Sequence, residues 1–322
     1  MSPRFKDGEG ELQRGTVECG PSRRYSSALA TVRNIEKAVA SEHSLLQAIG
    51  LQENYNRGNR MTTRDTNAWE TAIGEVEKDD VIIRGHRLSQ LIGNTSYSEM
   101  MYLVLTGNRA TPGQARVLDA LLVSVMEHGI SPSSTVTRML ASYGVPLQVG
   151  IAAGVTTFGD IQGGAGQQLA LKLQSVVHQI AEDGEVTDES LQRAAKEIVA
   201  DSRARRAPLE GFGHPQHGAD PRFPILMGIA KEEGVFSHHS SLLTHLEYEL
   251  SQAVGRKIPA NVDGAIAALI LDLGFTWETT RIFLVAPRSV GLAAHYLEEV
   301  AQGNTWRHVP ADQVNYTGPN PS

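Results

Sequence analysis

Residues 261–303 read NVDGAIAALILDLGFTWETTRIFLVAPRSVGLAAHYLEEVAQG. The first part is an apolar helix with Asp263 at its mouth, ended near Gly274. The second part, Thr276 to Gly303, reads as one long helix with Arg288 on an otherwise apolar face. Neither part alternates apolar and polar residues as a half-buried strand would.

The same period runs upstream. Tyr97 to Thr106 reads as a helix ended by Gly107, and Pro112 opens the next, which runs to Gly129. The stretch from Ser131 follows, capped by Ser131 or Ser133. Val145 to Phe158 is small and apolar, as a tightly buried helix would be. After the Gly-rich turn GDIQGGAG come QQLALKLQSVVHQIAEDG and TDESLQRAAKEIVADSRARR, the second capped by Thr187 or Asp188. PILMGIAKEEG and HSSLLTHLEYELSQAVG complete the series. Only Val81-Ile82-Ile83 looks like a strand. The fold class expected is all-α. Aromatics are only 6% of the chain while Ala, Gly, Leu and Val are plentiful, which favours close-packed helices over a β-sandwich.

Residues 1–60 differ from the rest. The first 25 are polar and aperiodic, and are expected to be disordered. Ser27 to Leu51 has apolar residues near helical spacing. Either Met61 is the natural start of a unit spanning 61–322, or the upstream part is a helical arm used in oligomer contacts.

Bulk properties bound the function. A formal net charge of -7 argues against a general nucleic-acid binder, though local arginines can still hold an anion. The single cysteine, Cys19, excludes an internal disulfide and a cysteine-rich metal site, and fits a reducing compartment. No apolar run approaches the roughly 18 residues a bilayer span requires. Residues 1–30 lack a secretory apolar core. A cytoplasmic protein off the membrane is expected.

Three loops at helix ends concentrate unusual residues: Glu127-His128-Gly129, Gly211 to Arg222, and Ala260 to Gly264. Free N–H groups at helix starts suit carboxylates and thioester oxygens. His214 follows two glycines, which let backbone approach a ligand; a surface histidine is the plain alternative. Arg222 offers a planar fork for carboxylate. Asp263 is either an ordinary N-cap or, in an apolar pocket, a base for a C–H next to a thioester. Arg288 on its apolar face needs an anion, which a structural ion pair would also supply. His238 and His239 have no ligand-spaced neighbours, so no metal site is expected. His86 reads as structural. GDIQGGAG has no preceding strand and is not a nucleotide loop.

The order of these signals is distinctive: Glu-His-Gly, a Gly-rich turn after a small-residue helix, GFGH with DPR, NVDG, then R-S-x-G. In this order the chain resembles the citrate synthase superfamily over residues 66–310. The stretch IRGHRLSQLIGNTSYSEMMYLVLTG is similar to that family's N-terminal region. FGDIQGGA, NVDGAIAALILDLG and the WRH tail most resemble citryl-CoA lyase and the C-terminal module of ATP-citrate lyase. The resemblance implies a dimeric fold of a large helical domain with a smaller one, residues 170–275, inserted in it. It implies His128 and His214 around an oxaloacetate-like group, its carboxylates held by Arg222, Arg288 and, across the dimer, Arg307. It implies Asp263 as the proton shuttle at the acetyl methyl carbon. It places CoA on backbone at Leu209, Gly211, Phe212 and Gly213, with Arg203, Arg205 and Arg206 either near its phosphates or simply solvated. CoA thioester is then substrate, and no tightly bound cofactor is expected.

Two departures stand out. Gln162 occupies the place of the synthase histidine that hydrogen-bonds the enol oxygen. A glutamine amide donates a hydrogen bond but transfers no proton. Pro215, Gln216 and His217 follow His214 where an arginine is common. The leading expectation is citryl-CoA cleavage to acetyl-CoA and oxaloacetate, with a citryl-CoA synthetase as possible supplier. Condensation of an acyl-CoA with a 2-oxo acid is the second, and a non-catalytic CoA-ester-binding homologue the third.

Overall fold

A computed structural model describes residues 69–161, 163–213 and 220–319. The chain divides into a unit of residues 1–70 and a unit of residues 71–322, and the fold below is that of the second. The expected helix from Ser27 to Leu51, the readings of Met61, Cys19, Gln162, and His214 to His217 all lie outside the described residues.

The second unit opens with a small antiparallel meander, β1 (Gly74–Val76), β2 (Val81–Ile83) and β3 (His86–Arg87), in the order β1-β2-β3. The apolar run at Val81 is therefore a strand, and His86 begins its neighbour. The turn between them, Arg84-Gly85, has φ of 49° and 81°, the doubly left-handed geometry that matches strand twist. Arg84 also ties the hairpin to the helices. Its Nε and Nη2 donate to the Val104 carbonyl at 3.0 and 2.9 Å.

The rest is helical: α1 (Leu88–Leu91), α2 (Tyr97–Thr106), α3 (Pro112–Val125), α4 (Pro132–Ser142), α5 (Leu147–Thr156), α6 (Ala165–Asp183), α7 (Asp188–Arg205), α8 (Arg222–Glu232), α9 (His238–Val254), α10 (Val262–Asp272) and α11 (Ile282–Ala301). Their ends follow local chemistry. Ser96 with Glu99 and Thr111 with Gln114 form reciprocal capping boxes at α2 and α3. Thr187 caps α7, and Gly107 ends α2 in the left-handed region.

Helix α10 is the centre. Every residue from Gly264 to Leu271 is buried, because α6, α8 and α9 pack around it and α3 closes the remaining side. A helix apolar all round has no other stable place in water. Each fully buried Leu or Ile here contributes about 1.5–3 kcal/mol. Phe275, just past α10, packs edge-on against Tyr102 and Phe283, with ring centroids 5.1 and 4.7 Å away.

Four expectations change. The helix expected to reach Gly129 stops at Val125, because arginines from α8 and α11 take its last carbonyls and Gly129 turns at φ 65°. The long final helix starts at Ile282 rather than Thr276. Trp277–Thr279 forms a separate 3-10 turn, closed by i to i+3 bonds from Thr279 N–H to Thr276 O and Thr280 N–H to Trp277 O. Helix α8 begins at Arg222, before Pro224. Helix α5 is not tightly buried: only Gly150 and Gly154 are, where they face α4 and α11, and Val149 is 46% exposed.

Candidate active site

Asn261 is the N-cap of α10. Its side-chain oxygen accepts the Gly264 N–H at 3.2 Å, and its amide donates to the Gly213 carbonyl at 2.7 Å. Asp263, in the first turn, is thereby released from capping. Among the described residues no donor hydrogen-bonds its carboxylate. Burial raises its pKa above the ordinary carboxylate value. Arg222 and Arg288 oppose that shift, and the Asp220 charge adds to it.

The loop Leu209 to Gly213 lies directly on this helix start. Asn261 N–H donates to Gly211 O at 3.0 Å, and Gly213 N–H donates to Pro259 O at 2.8 Å. Gly211 has φ 81°, and a Cβ there would sit 2.5 Å from Leu169. The backbone approach is possible only for glycine. Beside this loop a cavity of about 430 Å³ is lined by Lys172, Arg205, Leu209 and Glu210, among others. Arg205 pairs with Asp201 on its own helix at 2.7 Å.

Arg222 is held by Asp220. The fully buried carboxylate accepts from Arg222 Nε at 2.9 Å and Nη2 at 2.8 Å. It also accepts the N–H of Val262 at 3.0 Å, so one carboxylate sets both the arginine and the start of α10. Burial works against its charge, but these donors outweigh it and hold its pKa at about 2. Sequence reasoning passed over Asp220; its signal was the carboxylate two residues before Arg222 in ADPR.

Arg222 and Arg288 converge on the end of α3. Arg222 Nη1 lies 3.4 Å from Ser124 O, and Arg288 Nε donates to Val125 O at 2.8 Å. Cationic donors satisfy the open carbonyls of a helix C-terminus. Arg288 is 6% exposed. Burial lowers its pKa, while Glu127 and Asp263 support its charge and Arg222 opposes it. The next loop residues are Glu127 and the exposed His128. Asp263, Arg222, Arg288 and the Glu127-His128 loop are thus drawn together by α10, α8, α11 and the end of α3.

Arg307 is elsewhere. Its guanidinium embraces Glu299, a fully buried carboxylate that also binds Arg138. Glu299 is eleven residues along α11 from Arg288, about 16 Å at the rise of a helix. His239 is also structural: Nδ1 lies 2.9 Å from Asp272, whose carboxylate accepts the N–H groups of Ser237, His239 and Ser240 at the start of α9. Among the described residues, no group of three or more His, Cys, Asp or Glu side chains is placed to hold a metal ion, and no helix is long and apolar enough to cross a membrane.

The family model "Citrate synthase, C-terminal domain" matches residues 105–308. The chain belongs to the citrate synthase family. The family's fold is also that of citryl-CoA lyase from Hydrogenobacter thermophilus, with a TM-score of 0.72 and 34% identity over 79% of this chain and 96% of that one. The glyoxysomal citrate synthase of Cucurbita maxima is 30% identical over 240 residues, which is 70% of this chain and 43% of that protein. ATP citrate lyase from Methanothrix soehngenii, solved with citrate and coenzyme A, shares the fold with a TM-score of 0.68 and 20% identity, over 97% of this chain and 47% of that one. The chain spans about half the length of the curated family members it matches.

Proposed function

We propose that this protein cleaves citryl-CoA to acetyl-CoA and oxaloacetate. The observation that carries this is the Asp263 carboxyl. It is uncommitted to helix capping, pushed toward its protonated form, and flanked by two arginines that can hold carboxylates. A retro-aldol cleavage needs that combination. His214 takes the proton of the tertiary hydroxyl, the carbon–carbon bond breaks, and the hydroxyl carbon becomes the keto group of oxaloacetate. The electron pair passes into the enolate of acetyl-CoA, and Asp263 delivers a proton to its methyl carbon. His128, Arg222 and Arg288 hold the four-carbon part, Leu209, Gly211, Phe212 and Gly213 the thioester arm. Gln162 donates a hydrogen bond near the enol oxygen without a proton to give.

The likeness to a citryl-CoA lyase over nearly that protein's whole length supports the direction. Cleavage and condensation pass through the same acetyl-CoA enolate, so the amide of Gln162 takes the same part in either direction, and the direction rests on that likeness. We further propose a homodimer in which Arg307 serves the partner's site. The exposed apolar residues Val149 on α5 and Val290, Leu297 and Val300 on α11 support such an interface.

The test incubates pure protein with citryl-CoA and, separately, with acetyl-CoA plus oxaloacetate, following CoA, oxaloacetate and citrate. Cleavage with little net citrate formation is expected. Net citrate synthesis would make it a synthase, and silence in both a binding homologue.

A further inference from the structure

One face of α11 carries Arg288, Gly291 and His295, spaced three and four residues apart. That face meets the end of α3 and the loop after it at three successive points. Arg288 Nε donates to Val125 O at 2.8 Å. At Gly291 a Cβ would overlap the Met126 carbonyl and lie 2.6 Å from Glu127 Oε2, so only glycine lets the loop close on the helix. His295 Nε2 lies 2.9 Å from Glu127 Oε1. Glu127 then folds onto its own loop, where Oε1 accepts the Gly129 N–H at 2.5 Å.

The other ring nitrogen fixes the tautomer. His295 Nδ1 is 3.3 Å from Arg138 Nη1. A guanidinium has only donors, so Nδ1 must accept and the ring proton resides on Nε2, where it is donated to Glu127. Arg138 is itself immobilised. Its Nε meets buried Glu299 at 2.6 Å, Nη2 donates to Gln302 at 2.8 Å, and Nη1 also pairs with Glu298. An unbroken chain of polar contacts runs from the buried Glu299 through Arg138 and His295 to the loop that carries His128.

We propose that His295 is a positioning residue: as a neutral imidazole donating from Nε2 to Glu127, it sets the conformation of Glu127-His128-Gly129 and so where His128 meets substrate. This rests on the reading of His128 as substrate-facing. Nothing in the sequence pattern around His295 marks it apart from its seven-residue spacing from Arg288.

The test compares His295→Gln with His295→Leu. A glutamine amide donates and accepts as the neutral imidazole does; leucine does neither. With citryl-CoA, the leucine variant is expected to lose about tenfold to a hundredfold in kcat, with a smaller change in KM, and the glutamine variant to stay within about threefold of wild type. Should the leucine variant fail to fold, Glu127→Ala breaks the same link from the exposed side and is expected to show the same loss. A second readout needs no turnover: imidazole ¹⁵N NMR of histidine-labelled protein, expected to show His295 as the Nε2–H tautomer and the His128 signals moved by leucine but not by glutamine. Wild-type kcat in the leucine or alanine variant, equal losses for glutamine and leucine, or a doubly protonated or Nδ1–H ring at neutral pH would each overturn the proposal. Inactive wild-type protein would instead defeat the lyase reading, with the NMR outcome still deciding the role of His295.

Discussion

Asn261 and Asp263 stand two residues apart at the start of α10, and the cap belongs to Asn261. Had Asp263 been the cap, its charge would be spent on backbone N–H groups and its pKa depressed. Instead burial raises it. Asp263→Asn is therefore expected to abolish citryl-CoA cleavage while leaving substrate binding nearly intact, since the amide is isosteric but delivers no proton. Turnover and calorimetric binding of citrate and CoA separate the two. Wild-type turnover in this variant would leave Asp263 no proton-transfer role.

The same residue carries a stability prediction. A carboxyl whose folded pKa is raised binds its proton more tightly when folded than when unfolded. Stability then falls as pH rises from the ordinary carboxylate value through the raised one. Asp263→Asn removes that loss, so its thermal midpoint at pH 7 is expected to exceed that of wild type. Below about pH 4, the ordinary carboxylate range, the gap should narrow. A lower midpoint at pH 7 would show that the attraction of Arg222 and Arg288 outweighs burial.

Asp220 behaves in the opposite sense. Its folded pKa is held at about 2, below the ordinary 3.8, so its stabilisation is present above 3.8 and lost as pH falls toward 2. The shift corresponds to about 2 kcal/mol. Asp220→Asn is expected to lower the unfolding free energy at pH 7 by that order, to match wild type near pH 2, and to raise KM for citryl-CoA by loosening Arg222. Denaturant titrations at both pH values, with steady-state kinetics at pH 7, check all three.

Much of this was legible in the sequence, for identifiable reasons. Helix existence came from apolar period, and ends such as Gly107, Pro112 and Thr187 from cap and turn chemistry that needs only neighbouring residues. The end of α3 was not legible, because the groups that stop it, Arg222 and Arg288, lie about 100 and 160 residues away along the chain. Helix α5 misled because apolarity signals a need for cover without saying which molecule provides it. Asp263, Arg222 and Arg288 stood out as charges among apolar or glycine residues. Asp220 and His295 did not, since their meaning lies in partners: Val262 and Arg222 for one, Glu127 and Arg138 for the other.

Arg288 is expected to act twice. Arg288→Ala removes a carboxylate clamp and a cationic donor at the end of α3, and should raise KM for citryl-CoA by about tenfold or more. Arg288→Lys keeps the charge but not the planar fork that reaches Val125 O, so it should recover only part of the loss. Full recovery by lysine would mean that charge alone matters at this position.

Arg307 permits a decisive test of assembly. Within its own chain it is engaged by Glu299, far along α11 from Arg288. If it serves the partner's site, Arg307→Ala and Asp263→Asn homodimers are each inactive for different reasons. Mixed by co-expression, they form hybrids with two unlike sites. One site carries the Asp263→Asn change and also lacks the partner's arginine. The other keeps its own Asp263 and receives Arg307 from the Asp263→Asn chain, so it is intact. The purified hybrid is expected to recover about half of the wild-type activity per dimer. If Arg307 acts within its own chain, each site of the hybrid carries one lesion and no activity returns. Sedimentation of the wild-type protein as an active monomer would remove the premise, because no partner would then exist to lend the arginine.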